Sequence, residues 1–194
     1  RFCQVTGVQT CALPICPVRW GHRSRPSGTM SRFEALETLE EQRREAYVRA
    51  VLRASEANDV VGYIGNRVPV ELFHALGLMA LPVYGVNGEI LKYSRDKGLC
   101  PLVDATLTYA RTDRCPLIHS SRLIVVDDAC PIMAREIAGL SDKDVHVYHV
   151  EDPMKLELLI EKLEHVYGRI LDEDALNAAI DESRQLTEIG RAHV

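Results

Sequence analysis

The chain has 194 residues, 46% of them apolar and 26% charged, with a formal net charge of −5. That balance argues against a surface for nucleic acid or an anionic membrane, both of which need clustered Lys and Arg. No apolar run approaches the roughly 18 residues of a membrane-spanning helix, so no element is expected to cross a bilayer.

Both ends read as the same oligonucleotide. Gln9-Thr10-Cys11-Ala12-Leu13-Pro14-Ile15 can be encoded by CAG ACG TGT GCT CTT CCG ATC. Its reverse complement, one base out of frame, gives Ile189-Gly190-Arg191-Ala192-His193-Val194. Residues 1–29 and 188–194 are therefore expected to be non-native, adapter-derived or untranslated sequence of the kind found in a metagenomic fragment, with Met30 as the natural start. A secretory signal fits poorly, because Ala12 to Cys16 is too short for an apolar core and Pro14 and Pro17 interrupt it. Residues 30–187 have the length of one domain. Removing the five Arg and one acidic residue of the ends takes the formal charge from −5 to −9.

Ser31 and Glu34 form a capping box, and Phe33, Leu36, Leu39, Tyr47 and Val51 follow at helical spacing, which predicts a long helix ending near Asn58. Val60 to Ile64 is a short apolar strand. Pro69 suits the first turn of a helix that runs to Gly77. A strand over Leu81 to Val86 and a helix over Pro101 to Arg111 come next. Leu123 to Val126 reads as a buried strand leading to a helix from Pro131 to about Ala138. Val145 to Val150 is a further strand, on which His146 and His149 would face opposite sides. Leu156, Leu159, Ile160, Leu163, Val166 and Ile170 mark an amphipathic helix, and Asp172 or Asp174 caps a last helix through Gln185.

Strands that alternate with helices predict an α/β layered sheet of mainly parallel strands, and their continuous apolar runs predict helices on both faces. Ligands in such sheets gather beyond the carboxyl ends of the strands. Asn66, Gly85 and Asp127 to Cys130 lie just past those ends.

Cys3, Cys11 and Cys16 belong to the set-aside end, which leaves Cys100, Cys115 and Cys130. An odd number of cysteines fits a reducing cytoplasm. Each is followed by proline. Pro at the first helical position puts the preceding Cys at the N-cap, where the helix dipole and free amides favour a thiolate. Thiolates are what iron–sulfur clusters and zinc require. Structural cysteines, an iron–sulfur site and zinc all stay open on this reading, although the lack of a Cys-x-x-Cys pair disfavours a zinc knuckle.

Three segments carry a resemblance: Leu99-Cys100-Pro101-Leu102-Val103, Tyr109 to Pro116 (Tyr-Ala-Arg-Thr-Asp-Arg-Cys-Pro), and Leu123 to Cys130 (Leu-Ile-Val-Val-Asp-Asp-Ala-Cys). Gly62-Tyr63, Val68 to Leu72, Ala75-Leu76-Gly77, Gly168 to Asp174 and Leu176 to Ile180 extend it across residues 30–187. Together they resemble the D-component-like subunits of 2-hydroxyacyl-CoA dehydratases and benzoyl-CoA reductases, nearest the double-cubane-type branch. The resemblance implies two Rossmann-like α/β domains with a 4Fe–4S or double-cubane cluster held between them by thiolates. The chain would then stop before the second domain, which normally supplies a further ligand cysteine.

The resemblance also implies an anaerobic enzyme that eliminates water from, or reduces, an acyl-CoA thioester. An ATP-dependent iron–sulfur activator would supply the electron, and a homologous second subunit or a second copy would be the partner. Cys100 and Cys130 match cluster ligands best. Cys115 follows the pattern of the nearer branch, as ligand or neighbour, and Pro131 stands where many relatives carry an acidic residue. A non-catalytic iron–sulfur electron-transfer or scaffold subunit is the alternative, and a cluster-free binding module a third reading.

Five further residues invite a functional reading. Glu71 sits in the first turn of a helix facing the expected cleft, and the resemblance puts that segment near substrate; the dipole alone also favours a Glu there. His119 and Ser120 lie in an expected loop, where they could bond a thioester carbonyl or move a proton. Asp127-Asp128 would orient the cysteine loop or end the strand at a turn.

Overall fold

The computed structural model describes residues 32–95 and 98–191. Ser31 of the expected capping box, and residues 1–29 with their three cysteines, lie outside them.

Five consecutive apolar or strand-ending residues without polar alternation suit a strand covered on both faces. β3 (Leu123–Asp127) is such a strand, buried throughout. It pairs in parallel with β1 (Val60–Ile64) on one side and β4 (Val145–Tyr148) on the other. β1 pairs in parallel with β2 (Met79–Pro82), which gives the order β2-β1-β3-β4. The expected parallel α/β layering is the architecture found.

Helices close both faces. α1 (Arg32–Glu56), α3 (Pro101–Arg111), α4 (Pro116–Ser120) and α5 (Pro131–Ala138) bury Tyr47, Leu107, Leu117 and Ile137 against one face. α2 (Val70–Ala75) and α6 (Pro153–Tyr167) bury Phe73, Leu159 and Leu163 against the other. Each side chain of that size contributes about 1.5–3 kcal/mol by leaving water. α7 (Glu173–Arg191) lies along α2. Among the described residues no helix is long and apolar enough to cross a membrane.

Several element ends differ from expectation. β2 starts and stops earlier than Leu81 to Val86. Its ladder runs from Met79 opposite Val60 to Pro82 opposite Tyr63; Val83 N still donates to Tyr63 O at 3.0 Å, and the next amide, Gly65 N, donates to the Tyr84 hydroxyl instead. β4 ends at Tyr148, so His149 stands past the strand rather than on it with His146. α6 ends at Tyr167 because Gly168 turns left-handed (φ 64°), which leaves Ile170 outside the helix and 88% exposed. Asp172 is the cap of α7, its Oδ2 accepting from Ala175 N at 2.9 Å, and α7 runs past Gln185 to Arg191. His119 and Ser120 lie in the short helix α4 rather than in a loop, and a 3-10 turn at Gly88–Tyr93 had no clear sequence signal.

A buried carboxylate fastens the amino edge of the sheet. Asp59 is 2% exposed and accepts from Arg53 Nε at 3.0 Å, from Arg53 Nη2, and from Arg169 Nη2 at 3.3 Å. Arg169 Nη1 also donates to Leu76 O at 2.6 Å, and the Tyr167 hydroxyl donates to Val60 O at 2.8 Å. One acid therefore joins α1, β1, the end of α2 and the segment after α6. Replacing Asp59 by Ala is expected to cost about 2–3 kcal/mol, since two half-exposed arginines lose their acceptor. Urea unfolding would measure it, and a loss below the error of that experiment would contradict this account.

His74 and His146 give the fold a pH dependence. The Nε2 of each is shut from solvent without a hydrogen-bond partner. Burial holds both imidazoles below the ordinary value of 6.5, opposed at His74 by Glu182 and Glu71 and reinforced at His146 by Lys162 and His149. The unfolded chain therefore takes up protons first as pH falls. This stability is complete above about 6.5 and declines as pH drops through that value toward the depressed ones. Unfolding free energy is expected to fall between pH 7.5 and 5.5, with a shallower slope in His74→Gln and His146→Gln. Equal slopes in all three proteins would refute it.

Candidate functional site

Three loops meet at the carboxyl edge. The loop after β3 is the shortest: Asp127 ends the strand, and Pro131 opens α5 three residues beyond Asp128. Cys130 is thus fixed at the N-cap of α5, in extended backbone (φ −117°, ψ 97°), with no hydrogen bond from its side chain to the helix. Cys100 holds the same position before Pro101 at the start of α3 (φ −65°, ψ 149°), again without a side-chain cap bond. Both thiols are free and exposed.

Close backbone packing places these helices on the sheet edge. Gly85, in the loop after β2, donates its N–H to Thr106 Oγ1 at 3.0 Å. A Cβ at Gly85 would stand 2.4 Å from the Ala105 carbonyl carbon, so only glycine lets the loop lie directly on α3. The carboxylate of Asp127, 4% exposed, ties the loops after β1 and β3 together. Its Oδ2 accepts from Arg67 N at 3.0 Å and its Oδ1 from Ala129 N at 3.2 Å. Gly65, at φ 120°, passes so near that a Cβ would fall 2.1 Å from the carboxyl carbon.

The Tyr84 hydroxyl accepts from Gly65 N. Burial pushes that phenol up, the Gly65 bond opposes the rise and the Asp127 charge adds to it. On the outer side His149 Nδ1 lies 3.0 Å from Asp128 Oδ2, and this hydrogen bond holds the Asp128 carboxyl below its usual range against a smaller effect of burial. Asp127 thus ends the strand, as one reading of Asp127-Asp128 had it, and its carboxylate accepts from the loop that carries Cys130.

The remaining candidates lie elsewhere. Cys115 also caps a Pro-initiated helix, but it is 1% exposed, packed in the core, with its sulfur accepting from Ile118 N at 3.5 Å. Its helix leads into the amino end of β3, away from Cys100 and Cys130. His119 and Ser120 line a cavity of about 340 Å³ at that same amino edge, with Asn58 and Arg122. They are therefore not brought to the cysteine loops. Among the described residues no group of three or more His, Cys, Asp and Glu is gathered to hold a metal ion.

Glu71 faces the other side of the sheet. Together with Asn66, His74, Glu182 and Ser183 it lines a cavity of about 390 Å³ between α2 and α7. Ser183 Oγ donates to Glu71 Oε1 at 2.7 Å. Tyr84, Glu182 and Ser183 carried no sequence signal for a site. Single polar residues on a helix or past a strand look alike until the chain is folded.

Two comparisons with known proteins bear on this arrangement. The family model for the 2-hydroxyglutaryl-CoA dehydratase D-component matches residues 66–192. Those residues include both cysteine loops, Glu71 and all of α2 to α7. The chain is also 25% identical over 136 residues to the Escherichia coli (strain K12) protein named "Putative dehydratase subunit YjiM". That alignment covers 62% of this chain and 36% of the relative, so the chain spans about a third of that protein's length. With most of its length matched in this way, the chain belongs to the 2-hydroxyglutaryl-CoA dehydratase D-component family.

Proposed function

We propose that this chain is the N-terminal domain, residues 30–187, of an iron–sulfur subunit of a 2-hydroxyacyl-CoA dehydratase-type enzyme, with Cys100 and Cys130 as two of its cluster thiolates. The observation that carries the reading is the matched state of the two thiols. Each is free, exposed, held at the N-cap of a Pro-initiated helix and uncommitted to that helix. An iron–sulfur cluster needs thiolate donors, and exposed thiols at helix N-caps are of that chemical kind. Two donors do not complete a set. The others would come from a second α/β domain beyond this chain. Cys115 is assigned to the core rather than to the cluster.

A 4Fe–4S or double-cubane cluster bound there would supply one low-potential electron for an acyl-CoA thioester, replenished by an ATP-dependent activator. This chain's own residues have simpler tasks. Asp127 holds the loops after β1 and β3 in one register, which fixes Cys130. Glu71, with one oxygen occupied by Ser183, keeps the other for a substrate hydroxyl or proton. His119 and Ser120, at the opposite edge, take no part. A homologous subunit or second copy would complete the assembly in a reducing cytoplasm. One observation favours the electron-transfer or scaffold alternative: the cysteine loops and the Glu71 cavity belong to opposite faces of the sheet.

The test is an anaerobic iron and sulfide determination, with visible absorption, on the gene product extended through its second domain. Stoichiometric iron and sulfide are expected in the parent and in Cys115→Ala, and a severe loss in Cys100→Ala and Cys130→Ala. A folded, colourless, iron-free parent protein would overturn the proposal.

A further inference from the structure

α1 is longer than the body that holds it. Tyr47 and Ala50 are buried and Ala54 packs beside them, but none of the described residues of α1 before Tyr47 is buried. Leu36 and Leu39 continue the same helical stripe as Tyr47, Ala50 and Ala54, at 53% and 55% exposure. Val48, Val51 and Leu52 are also about half exposed. The free half thus carries an apolar stripe with nothing of the described fold against it.

The charges of α1 change sign along its length. Glu34, Glu37, Glu40 and Glu41 precede Gln42, and Arg44, Arg49 and Arg53 follow it. Three residues depart from this pattern: Arg32 and Glu56 at the two ends, and Glu45 near the centre, which is paired with Arg49 at 3.3 Å. A pattern that reverses about one residue is complementary to itself run backwards. A partner of a single charge sign would match only one half of it.

We propose that α1 pairs antiparallel with α1 of a second copy, about a twofold axis at Gln42. In that register Leu36 meets the partner's Val48 and Glu40 meets the partner's Arg44, each twice by symmetry. Leu36, Glu40, Arg44 and Val48 recur every four residues and so form one ridge of the helix, which suits packing against the same ridge of another copy. The free half of each helix then lies along the anchored half of the other. Exposed Glu–Arg pairs are individually weak, so the apolar contacts supply affinity and the charges select register and direction. No part of this depends on iron.

The experiment is sedimentation velocity of the 194-residue chain over about a hundredfold range of concentration. A monomer–dimer equilibrium is expected. Glu40→Arg and Arg44→Glu each set like charges opposite one another and should weaken it by about tenfold. The double variant E40R/R44E should restore it. Both sites are exposed, and unchanged melting of the variants would show that the fold is intact. A chain that stays monomeric, a dimer indifferent to the single reversals, or a double variant as weak as the singles would each overturn the proposal.

Discussion

Much of this fold depends on how β3 ends. The strand is buried on both faces and flanked on both sides, so its chain must leave the sheet abruptly and without unsatisfied amides. Asp127 meets that constraint. Its side chain turns back to receive the N–H of Ala129 in its own loop and that of Arg67 in the neighbouring one. Two loops that would otherwise move independently share one acceptor, and Cys130 inherits its position from them. At the other end of the sheet Asp59 acts similarly, with guanidinium groups in place of amides.

The architecture was largely legible because its signals are periodic or steric. Uninterrupted Val, Ile and Leu runs announced buried parallel strands, and Pro101 and Pro131 each marked a helix start that the structure contains. Errors fell where local geometry overrode the pattern. The Tyr84 hydroxyl took the Gly65 amide that would have extended the β2 ladder, Gly168 stopped α6 before Ile170, and the 3-10 turn before Cys100 is too short to show a period.

The candidate site was legible only in part. The three Cys-Pro pairs are locally equivalent: each cysteine is an N-cap followed by a proline at the first helical position. What separates them is tertiary. Two open to solvent at the carboxyl edge, whereas Cys115 is enclosed by the core. No local sequence rule contains that difference. The same holds for His119, whose residue type suggested chemistry but whose helix lies at the end of the sheet opposite the cysteine loops. Conversely, the Ser183 to Glu71 hydrogen bond joins residues from α2 and α7, a contact that helical periodicity cannot anticipate.

The glycines divide the carboxyl edge into ground that can drift and ground that cannot. At Gly65 and Gly85 a single methyl group would collide with a carboxylate or a helix backbone, whereas at Gly88 nothing lies within 4 Å. Sequences sharing this fold are thus free to vary the rim of the cysteine-bearing surface while its two innermost turns stay frozen. Diversity in what the surface meets can accumulate around an unchanging frame.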